Sequence, residues 1–281
     1  MLGECLEYLA IRPEGIYLDA TAGLGGHSGA IAARLTTGFV IANDRDAESL
    51  ELARSNTSQQ SARIRFHHGP FADLKSALAS TGAGQVDGLL ADLGVSRYQL
   101  TEPERGFSLM ADGPLDMRMD RSRGSTAAEL VNFTSEKELA DLIFQLGEER
   151  RSRKIARAIV RARPISTTGR LAHVIEEAVP RSNRLHPATQ TFMALRMAVN
   201  HEQSELDGLL EAAPDLVKTG GRIVVLTFMS LEDRKVKQSF QALTRAGRAT
   251  LLTKHVVRPT PEEIRTNPPS RSAKLRAVEM R

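Results

Sequence analysis

The chain is poor in cysteine and in aromatic residues. It has one cysteine, Cys5, no tryptophan, and an aromatic content of 4%. A single cysteine excludes an intrachain disulfide framework and a cysteine-rich zinc site, and it is typical of a reducing compartment. No apolar run approaches the roughly 20 residues that cross a bilayer, and Glu4 and Glu7 stand where a secretory signal would be basic. We therefore expect a cytoplasmic protein without a membrane segment.

Composition and charge indicate a folded protein with a local basic surface. Of the 281 residues, 41% are hydrophobic and 26% are charged, enough apolar material for a buried core. The length predicts two compact units. The net charge is only +4, but the positive excess lies in residues 151–200 and 251–281. This pattern favours a polyanionic partner such as nucleic acid, with a solvated helix face as the plain alternative.

Apolar runs alternate with helical patterns in the first half of the chain. We predict strands over residues 16–21, 39–44, 64–68 and 86–92, with helices from the glycine-rich turn to Leu35 and over residues 47–56. Strands separated by helices are typical of an α/β fold with a parallel sheet.

The middle of the chain predicts an inserted helical domain. Residues 101–187 contain no convincing strand, but helical patterns cover 135–145, 148–163 and 168–178. We expect one long helix over 188–213, a strand over 222–228, a loop over 259–271 and a last strand over 274–279. The sheet domain would then comprise 1–100 and 188–281. An insertion after the fourth strand emerges at the carboxyl edge of the sheet, where parallel sheets bind ligands.

Ligand-like residues follow four consecutive predicted strands. Gly25 and Gly26 lie between a strand and a helix, where a missing Cβ lets the backbone approach a ligand. Asp44 ends the second strand, where a carboxylate can accept hydrogen bonds from ribose hydroxyls. Phe71 follows the third strand, where its ring could cover an adenine, and Asp92 ends the fourth. This order predicts a site for an adenosine cofactor.

Each of these residues also has a structural explanation. The glycines could be turn residues, Asp44 and Asp92 helix caps, Phe71 a core residue and His27 an ordinary first-turn residue. A dinucleotide site is disfavoured because Ser28 stands where that fingerprint has glycine or alanine. An NAD-dependent oxidoreductase is thus the weaker hypothesis.

Longer motifs resemble one enzyme family. The strings that carry the resemblance are Gly25-Gly-His-Ser28, Asp92-Leu-Gly-Val-Ser96, Glu104-Arg-Gly-Phe-Ser108, Asp112-Gly-Pro-Leu-Asp-Met-Arg-Met-Asp120, Gly147-Glu-Glu-Arg150, His186-Pro-Ala-Thr189, Ser230-Leu-Glu-Asp-Arg234, Asn267-Pro268 and Arg271-Ser272. With them the chain resembles the RsmH/MraW family, S-adenosylmethionine-dependent methyltransferases that modify N4 of a cytosine in small-subunit (16S) ribosomal RNA. The resemblance covers nearly the whole chain.

The resemblance implies a fold, a cofactor and a partner. The fold is a Rossmann-like class I methyltransferase domain interrupted by a helical domain that helps to hold RNA. The partner is small-subunit ribosomal RNA or the assembling small subunit. The implied contacts with S-adenosylmethionine are Gly25, Gly26, His27, Asp44, Phe71, Asp92 and Gln99.

Asp92 is the candidate catalytic residue, since a carboxylate at this strand end could accept the hydrogens of the attacking amino group. Binding the donor alone is the alternative role. Asp116 and Arg118 could shape the pocket for the base, or they could form an internal ion pair.

A basic helical face is predicted from Arg150, Lys154, Arg157 and Arg161, which are four, three and four residues apart. Beside it Ile155, Ile159 and Ala162 form an apolar stripe. The basic face could follow RNA phosphates, or it could be a polar face of a packed helix.

Several questions stay open on the sequence. No metal is expected, because His186 and His201 have no second ligand at zinc-like spacing. Met229 stands where the family usually has histidine, and the chain begins after the family's usual His-x-Pro-Val stretch. These departures keep a second hypothesis, an assembly factor that binds the donor and ribosomal RNA with little or no turnover. The oligomeric state, a homodimer included, is undetermined.

Overall fold

A seven-stranded sheet organises the computed structural model, which describes residues 1–179 and 186–281. The strands are β1 (Ile16–Asp19), β2 (Phe39–Asp44), β3 (Ile64–His68), β4 (Val86–Asp92), β5 (Val217–Thr227), β6 (Ala249–Leu251) and β7 (Lys274–Met280). Their order is β3-β2-β1-β4-β5-β7-β6. β1 to β5 pair in parallel, whereas β7 pairs antiparallel with both β5 and β6. The order of the parallel strands is that of a doubly wound α/β fold.

Helices follow most of the strands. In chain order the described helices are α1 (Leu2–Leu9), α2 (Gly26–Ala32), α3 (Ala47–Asn56), α4 (Leu74–Ser80), α5 (Arg97–Thr101), α6 (Ala127–Phe133), α7 (Glu136–Gly147), α8 (Ser152–Ala162), α9 (Thr168–Ala178), α10 (Thr189–Val199), α11 (Glu202–Leu216), α12 (Ser230–Arg245) and α13 (Pro261–Thr266). The predicted Rossmann-like α/β fold with an inserted helical domain is confirmed.

The described chain divides into two units. The sheet unit comprises Met1–Gly94 and Gln203–Arg281, and the helical unit comprises Val95–Glu202. These boundaries differ from the predicted 101 and 187, because α5 and α10 belong to the helical unit. The end of the predicted insert, residues 180–185, lies outside the described residues.

The sheet unit buries apolar residues on both faces of its sheet. Neighbouring residues of β4 alternate between two clusters, with Leu89 in one and Leu90 in the other, and both are fully buried. Alternation at period two is the geometry of a strand covered on both sides.

The helical unit has a core of its own. Buried residues of α6 to α10 and of the loops beside them form it, including Leu115, Val131, Leu139, Ile143, Ile155, Ile159, Leu171, Ile175, Phe192 and Leu195. No strand longer than an isolated bridge, between Pro114 and Thr167, occurs among its described residues. α8 buries Ile155 and Ile159 as predicted, and Ala162 is half-buried.

Some predicted elements have different limits. The predicted helix over 188–213 is two helices, α10 and α11, because His201 adopts φ 51° and the Asn200 side chain bonds Met117 and Met119 of the preceding loop. The predicted helix over 148–163 begins only at Ser152, after Glu148 with φ 53°. The predicted loop over 259–271 contains α13 and a 3₁₀ turn.

Candidate active site

Three aspartates mark the carboxyl edge of the sheet. Asp19, Asp44 and Asp92 end β1, β2 and β4, and β1 lies between the other two strands. Asp19 is paired in register with Ala42 and Leu90, two residues before Asp44 and Asp92 respectively. The fold therefore brings the predicted residues Asp44 and Asp92 to one edge, together with Asp19.

The glycine-rich loop joins β1 to α2 at this edge. Gly25 has φ 86°, and a Cβ there would lie 2.8 Å from Cγ2 of Thr57, so its glycine is required by the backbone and by packing. At Gly26 a Cβ would meet nothing within 4 Å. The open space beside the loop is thus at Gly26, the first residue of α2.

Asp44 holds the glycine loop through a hydrogen bond. Its Oδ2 accepts a hydrogen bond from Gly23 N at 2.7 Å, and its Oδ1 accepts from Asp46 N at 2.9 Å. The helix-cap explanation is wrong for Asp44, because Asp46 caps α3 by accepting from Glu48 and Ser49. Burial raises the pKa of Asp44 to about 6, although the two N–H donors lower it.

Asp92 is half-buried and lacks a full set of hydrogen-bond partners. Its Oδ1 is buried and accepts no hydrogen bond among the described residues, and its Oδ2 lies 3.6 Å from Nδ1 of His27. Burial raises the pKa of Asp92 to about 6 and lowers the pKa of His27. Asp92 caps no helix, since α5 is capped by Ser96. A buried acceptor without a donor is costly unless a ligand completes it.

Sequence reasoning missed a hydrogen-bonded chain beneath these residues. The fully buried Asp19 accepts from Ser28 Oγ at 2.6 Å and from Thr21 N at 3.2 Å. Thr21 Oγ1 in turn accepts from Asp92 N at 2.6 Å. Burial raises the pKa of Asp19 to about 6. On the sequence, Asp19 lies within the predicted strand 16–21 just before the glycine-rich turn, and this position was its one signal.

Phe71 begins a short 3₁₀ turn after β3, and its ring packs partly on the apolar core. Its backbone N–H donates to Glu205 Oε2 of α11 at 3.0 Å. Glu205 is 134 residues away in sequence, so no local pattern could have identified it. The turn that carries Phe71 is therefore fixed from outside the β3–α4 connection.

These residues fit a nucleoside donor with a positively charged sulfonium. Asp19 is fully buried at this edge, Asp44 and Asp92 are half-buried, and Asp92 Oδ2 lies 3.6 Å from Nδ1 of His27. Buried carboxylates call for a cationic or hydrogen-bond-donating ligand. The space at Gly26 and the incomplete Asp92 are where such a ligand would be held.

The remaining predicted residues belong to the helical unit. Gln99 is buried in α5, where it forms a capping box with Ser96. Asp116 and Arg118 form a two-pronged ion pair, with Nε–Oδ1 and Nη2–Oδ2 distances of 2.7 and 3.0 Å. Arg118 holds the pKa of Asp116 below its usual range despite burial. The ion-pair interpretation of this loop is thus what the structure shows.

The basic residues of α8 are exposed. Lys154, Arg157 and Arg161 lie on the helix away from its buried face, and Arg157 Nε is 3.4 Å from Glu136. Arg150 is exposed but precedes α8, so the predicted placement of all four cations on one helix is wrong for Arg150. Glu148, with its left-handed φ, ends α7 and interrupts the helical path there.

The described residues contain neither a membrane-spanning helix nor a cluster of metal-ligating side chains. None of their helices is both long and apolar enough to cross a membrane. No group of three potential metal-ligating side chains was found in residues 1–179 and 186–281.

Comparison with known proteins identifies the family. The model of the MraW methylase family matches residues 1–281. The chain is 66% identical to the Ribosomal RNA small subunit methyltransferase H of Solibacter usitatus, covering 100% of this chain and 98% of that protein. It is 52% identical to the protein of the same name from Koribacter versatilis, over 98% of this chain and 91% of that one. A solved rRNA methylase from Streptococcus thermophilus aligns with a TM-score of 0.47 and 12% identity, covering 99% of this chain and 94% of that one. The chain belongs to the MraW methylase family.

Proposed function

We propose that this protein transfers a methyl group from S-adenosylmethionine to the exocyclic N4 of a cytosine in small-subunit (16S) ribosomal RNA. The observation that carries the proposal is the 66% identity, over the full chain, to a relative named as a small-subunit ribosomal RNA methyltransferase. The three carboxylates at the sheet edge support it independently, because their negative charge is complementary to that of a sulfonium donor.

The sheet unit would hold the donor at the edge described above. Asp44 would accept hydrogen bonds from the ribose, Phe71 would cover the adenine, and Gly26 would leave room for the backbone to approach. When bound, the donor supplies an activated methyl group. His27 and Gln99 are proposed contacts on the family resemblance alone.

Asp92 is proposed to act on the attacking amine. The cytosine amino group is a weak nucleophile because its lone pair is delocalised into the ring. A carboxylate that accepts its hydrogens favours a pyramidal nitrogen, and it can take the proton that leaves nitrogen when the N–C bond forms and the S–C bond breaks. Asp92 suits this role because its side chain is partly exposed and its Oδ1 accepts no hydrogen bond among the described residues.

RNA binding is assigned to the helical unit. Lys154, Arg157 and Arg161 of α8, with Arg150, would contact phosphates, which position an RNA without reading its sequence. Asp116 and Arg118 would shape the entry of the base, their ion pair keeping the loop in one conformation. A cytosine must leave its stack to reach a buried donor.

Mass spectrometry of nucleosides tests the reaction. Small ribosomal subunits lacking the modification are incubated with labelled S-adenosylmethionine and either the wild-type protein or Asp92→Asn. We expect labelled N4-methylcytidine with the wild type and a large loss with the variant. Label on another base or atom would contradict the specificity. Donor and RNA binding without methyl transfer would instead support an assembly factor.

A further inference from the structure

Asn43 lies on β2 at the donor edge, the carboxyl edge of the sheet marked by Asp19, Asp44 and Asp92, and it is bonded to the residues that follow both neighbouring strands. It is the residue before Asp44 on β2, and only 1% of its surface is exposed. Its Nδ2 donates to the carbonyls of Ala20 at 3.2 Å and of Gly69 at 3.1 Å. Its Oδ1 lies 2.8 Å from Nδ1 of His67. One side chain thus makes three hydrogen bonds across three strand ends.

The two carbonyls open the two segments proposed to hold the adenosine. Ala20 follows β1 and leads into the glycine loop, and Gly69 follows β3 and leads into the turn of Phe71. Because β2 lies between β3 and β1, a side chain at Asn43 can reach both. One amide group, together with the backbone hydrogen bonds from Ala22 N to Asn43 O and from Gly69 N to Asp44 O, therefore holds the glycine loop and the Phe71 turn at a defined spacing.

The hydrogen-bond partners of Asn43 determine which atoms of Asn43 and His67 carry the hydrogens. A carbonyl oxygen can only accept, so the two carbonyls require the NH₂ of Asn43 on their side and place its oxygen toward His67. His67 must then donate from Nδ1. A protonated His67 also carries hydrogen on Nδ1, so the bond persists in either charge state of the ring.

We propose that Asn43, oriented by His67, is a positioning residue for the adenosine part of the donor. It acts through the carbonyls of Ala20 and Gly69 and need not touch the donor. This inference rests on the proposed function, since it assumes that the glycine loop and the Phe71 turn bind S-adenosylmethionine.

The test replaces the NH₂ group of Asn43, a hydrogen-bond donor, by an oxygen, an acceptor, and keeps the shape of the side chain. In Asn43→Asp a carboxylate oxygen faces two carbonyl oxygens, so the loop and the turn should separate. Binding of S-adenosylhomocysteine, measured by calorimetry, should weaken about tenfold or more. The Michaelis constant for the donor should rise by a similar factor, while kcat at saturating donor should change by less than about twofold.

Asn132→Asp is the matched control. Asn132, in the helical unit, also donates from Nδ2 to two carbonyls, those of Ala128 and Ile165, and accepts at Oδ1 from Ile165 N. Asn132→Asp also removes an NH₂ group that donates to two carbonyls, but it does so in the helical unit. It should therefore lower the stability of the protein and leave the affinity for S-adenosylhomocysteine unchanged. An equal loss of affinity in both variants, or none in Asn43→Asp, would overturn the inference.

A second measurement does not depend on the folding of Asn43→Asp. Nitrogen-15 NMR of the wild type should show His67 with hydrogen on Nδ1 at neutral pH. His67→Ala should weaken S-adenosylhomocysteine binding by a smaller factor than Asn43→Asp, because the bonds to both carbonyls remain. An Nδ1 without hydrogen in neutral His67 would refute the assigned orientation.

A wild type that binds no S-adenosylhomocysteine would reject the proposed function and this inference together. Normal wild-type binding with unaffected binding by Asn43→Asp would reject the inference alone.

Discussion

At the scale of single residues, the carboxylates of the donor edge are placed at a cost to stability. Asp19, Asp44 and Asp92 each have a pKa of about 6 when folded, whereas an unfolded aspartate titrates at about 3.9. Between these pH values the folded protein binds more protons than the unfolded chain. Stability therefore decreases as the pH rises from about 4 to 6, and the full cost is present above pH 6.

Removing one of these charges should stabilise the ligand-free protein. We expect Asp92→Asn to raise the free energy of unfolding by about 1–2 kcal/mol at pH 7.5 and to leave it unchanged at pH 4. The same variant should bind S-adenosylhomocysteine at least about tenfold more weakly. Chemical denaturation at the two pH values and calorimetry measure both effects.

Asp87→Asn is the control of opposite sign. Asp87 is buried and paired with Arg12, Lys218 and the backbone N–H of Ile16, and these partners lower its pKa. The stabilisation that Asp87 contributes is present when the pH is above the ordinary pKa of an aspartate. It is lost as the pH falls through the lowered pKa of Asp87 in the folded protein. Asp87→Asn should therefore destabilise at pH 7.5. Destabilisation by both variants would contradict the assigned cost of Asp92.

Donor binding should weaken in mild acid. If Asp44 must be ionised to accept from the ribose, a pKa of about 6 predicts about tenfold weaker S-adenosylhomocysteine binding at pH 5 than at pH 7, and a plateau above pH 7. A calorimetric series from pH 5 to 8 measures this. Asp44→Asn should bind weakly and lose part of the slope, and a flat wild-type profile would show that Asp44 need not be ionised.

At the scale of elements, α8 separates an apolar face from a basic one. Ile155 and Ile159 are fully buried, while Lys154 and Arg161 are exposed. Spacing of three and four residues along a helix places like side chains on one face. The burial of the apolar face thus presents the cations to solvent.

Reversing charges on this face should weaken RNA binding selectively. We expect the double variant Lys154→Glu and Arg161→Glu to bind ribosomal RNA at least about tenfold more weakly. The slope of the logarithm of the binding constant against the logarithm of the salt concentration should decrease in magnitude by about 1 for each lost phosphate contact. S-adenosylhomocysteine binding should stay unchanged. Filter binding over a range of salt concentrations measures it, and the control is the double variant Lys237→Glu and Arg245→Glu of two exposed α12 residues, which changes the net charge by the same amount. Equal losses in the control would mean that net charge alone is responsible.

At the scale of the whole molecule, the two units have separate hydrophobic cores. Leu89 and Ile155 are both fully buried, the first in the sheet unit and the second in the helical unit. Deleting a large buried aliphatic side chain typically costs about 2–5 kcal/mol. The loss of stability should appear first as local unfolding of the unit whose core carries the substitution.

Hydrogen exchange should therefore distinguish two core variants. Ile155→Ala should increase amide exchange in α7, α8 and α9 more than in β1, β2 and β4, and Leu89→Ala should do the reverse. Exchange followed by mass spectrometry resolves these segments. Equal increases throughout the chain would show that the units unfold as one.

The site could be predicted in part because some of its signals are local. Asp44 and Asp92 were found as polar ends of apolar strands, and the structure places both at the sheet edge. Asn43 and Glu205 were missed, since each acts on a backbone group of another element, 26 and 134 residues away for Gly69 and Phe71. A hydrogen bond between distant segments leaves no periodic pattern in either.

The sequence alone identifies the elements whose apolar runs are continuous, such as β2 and β4, because an inner parallel strand covered on both faces needs an apolar side chain at nearly every position. It also determined the buried stripe of α8. Folding of the whole chain was needed to decide the antiparallel place of β7 between β5 and β6 and the break between α10 and α11 at His201. These features depend on which segments become neighbours, and neighbours in space are chosen by packing and hydrogen bonding across the whole fold.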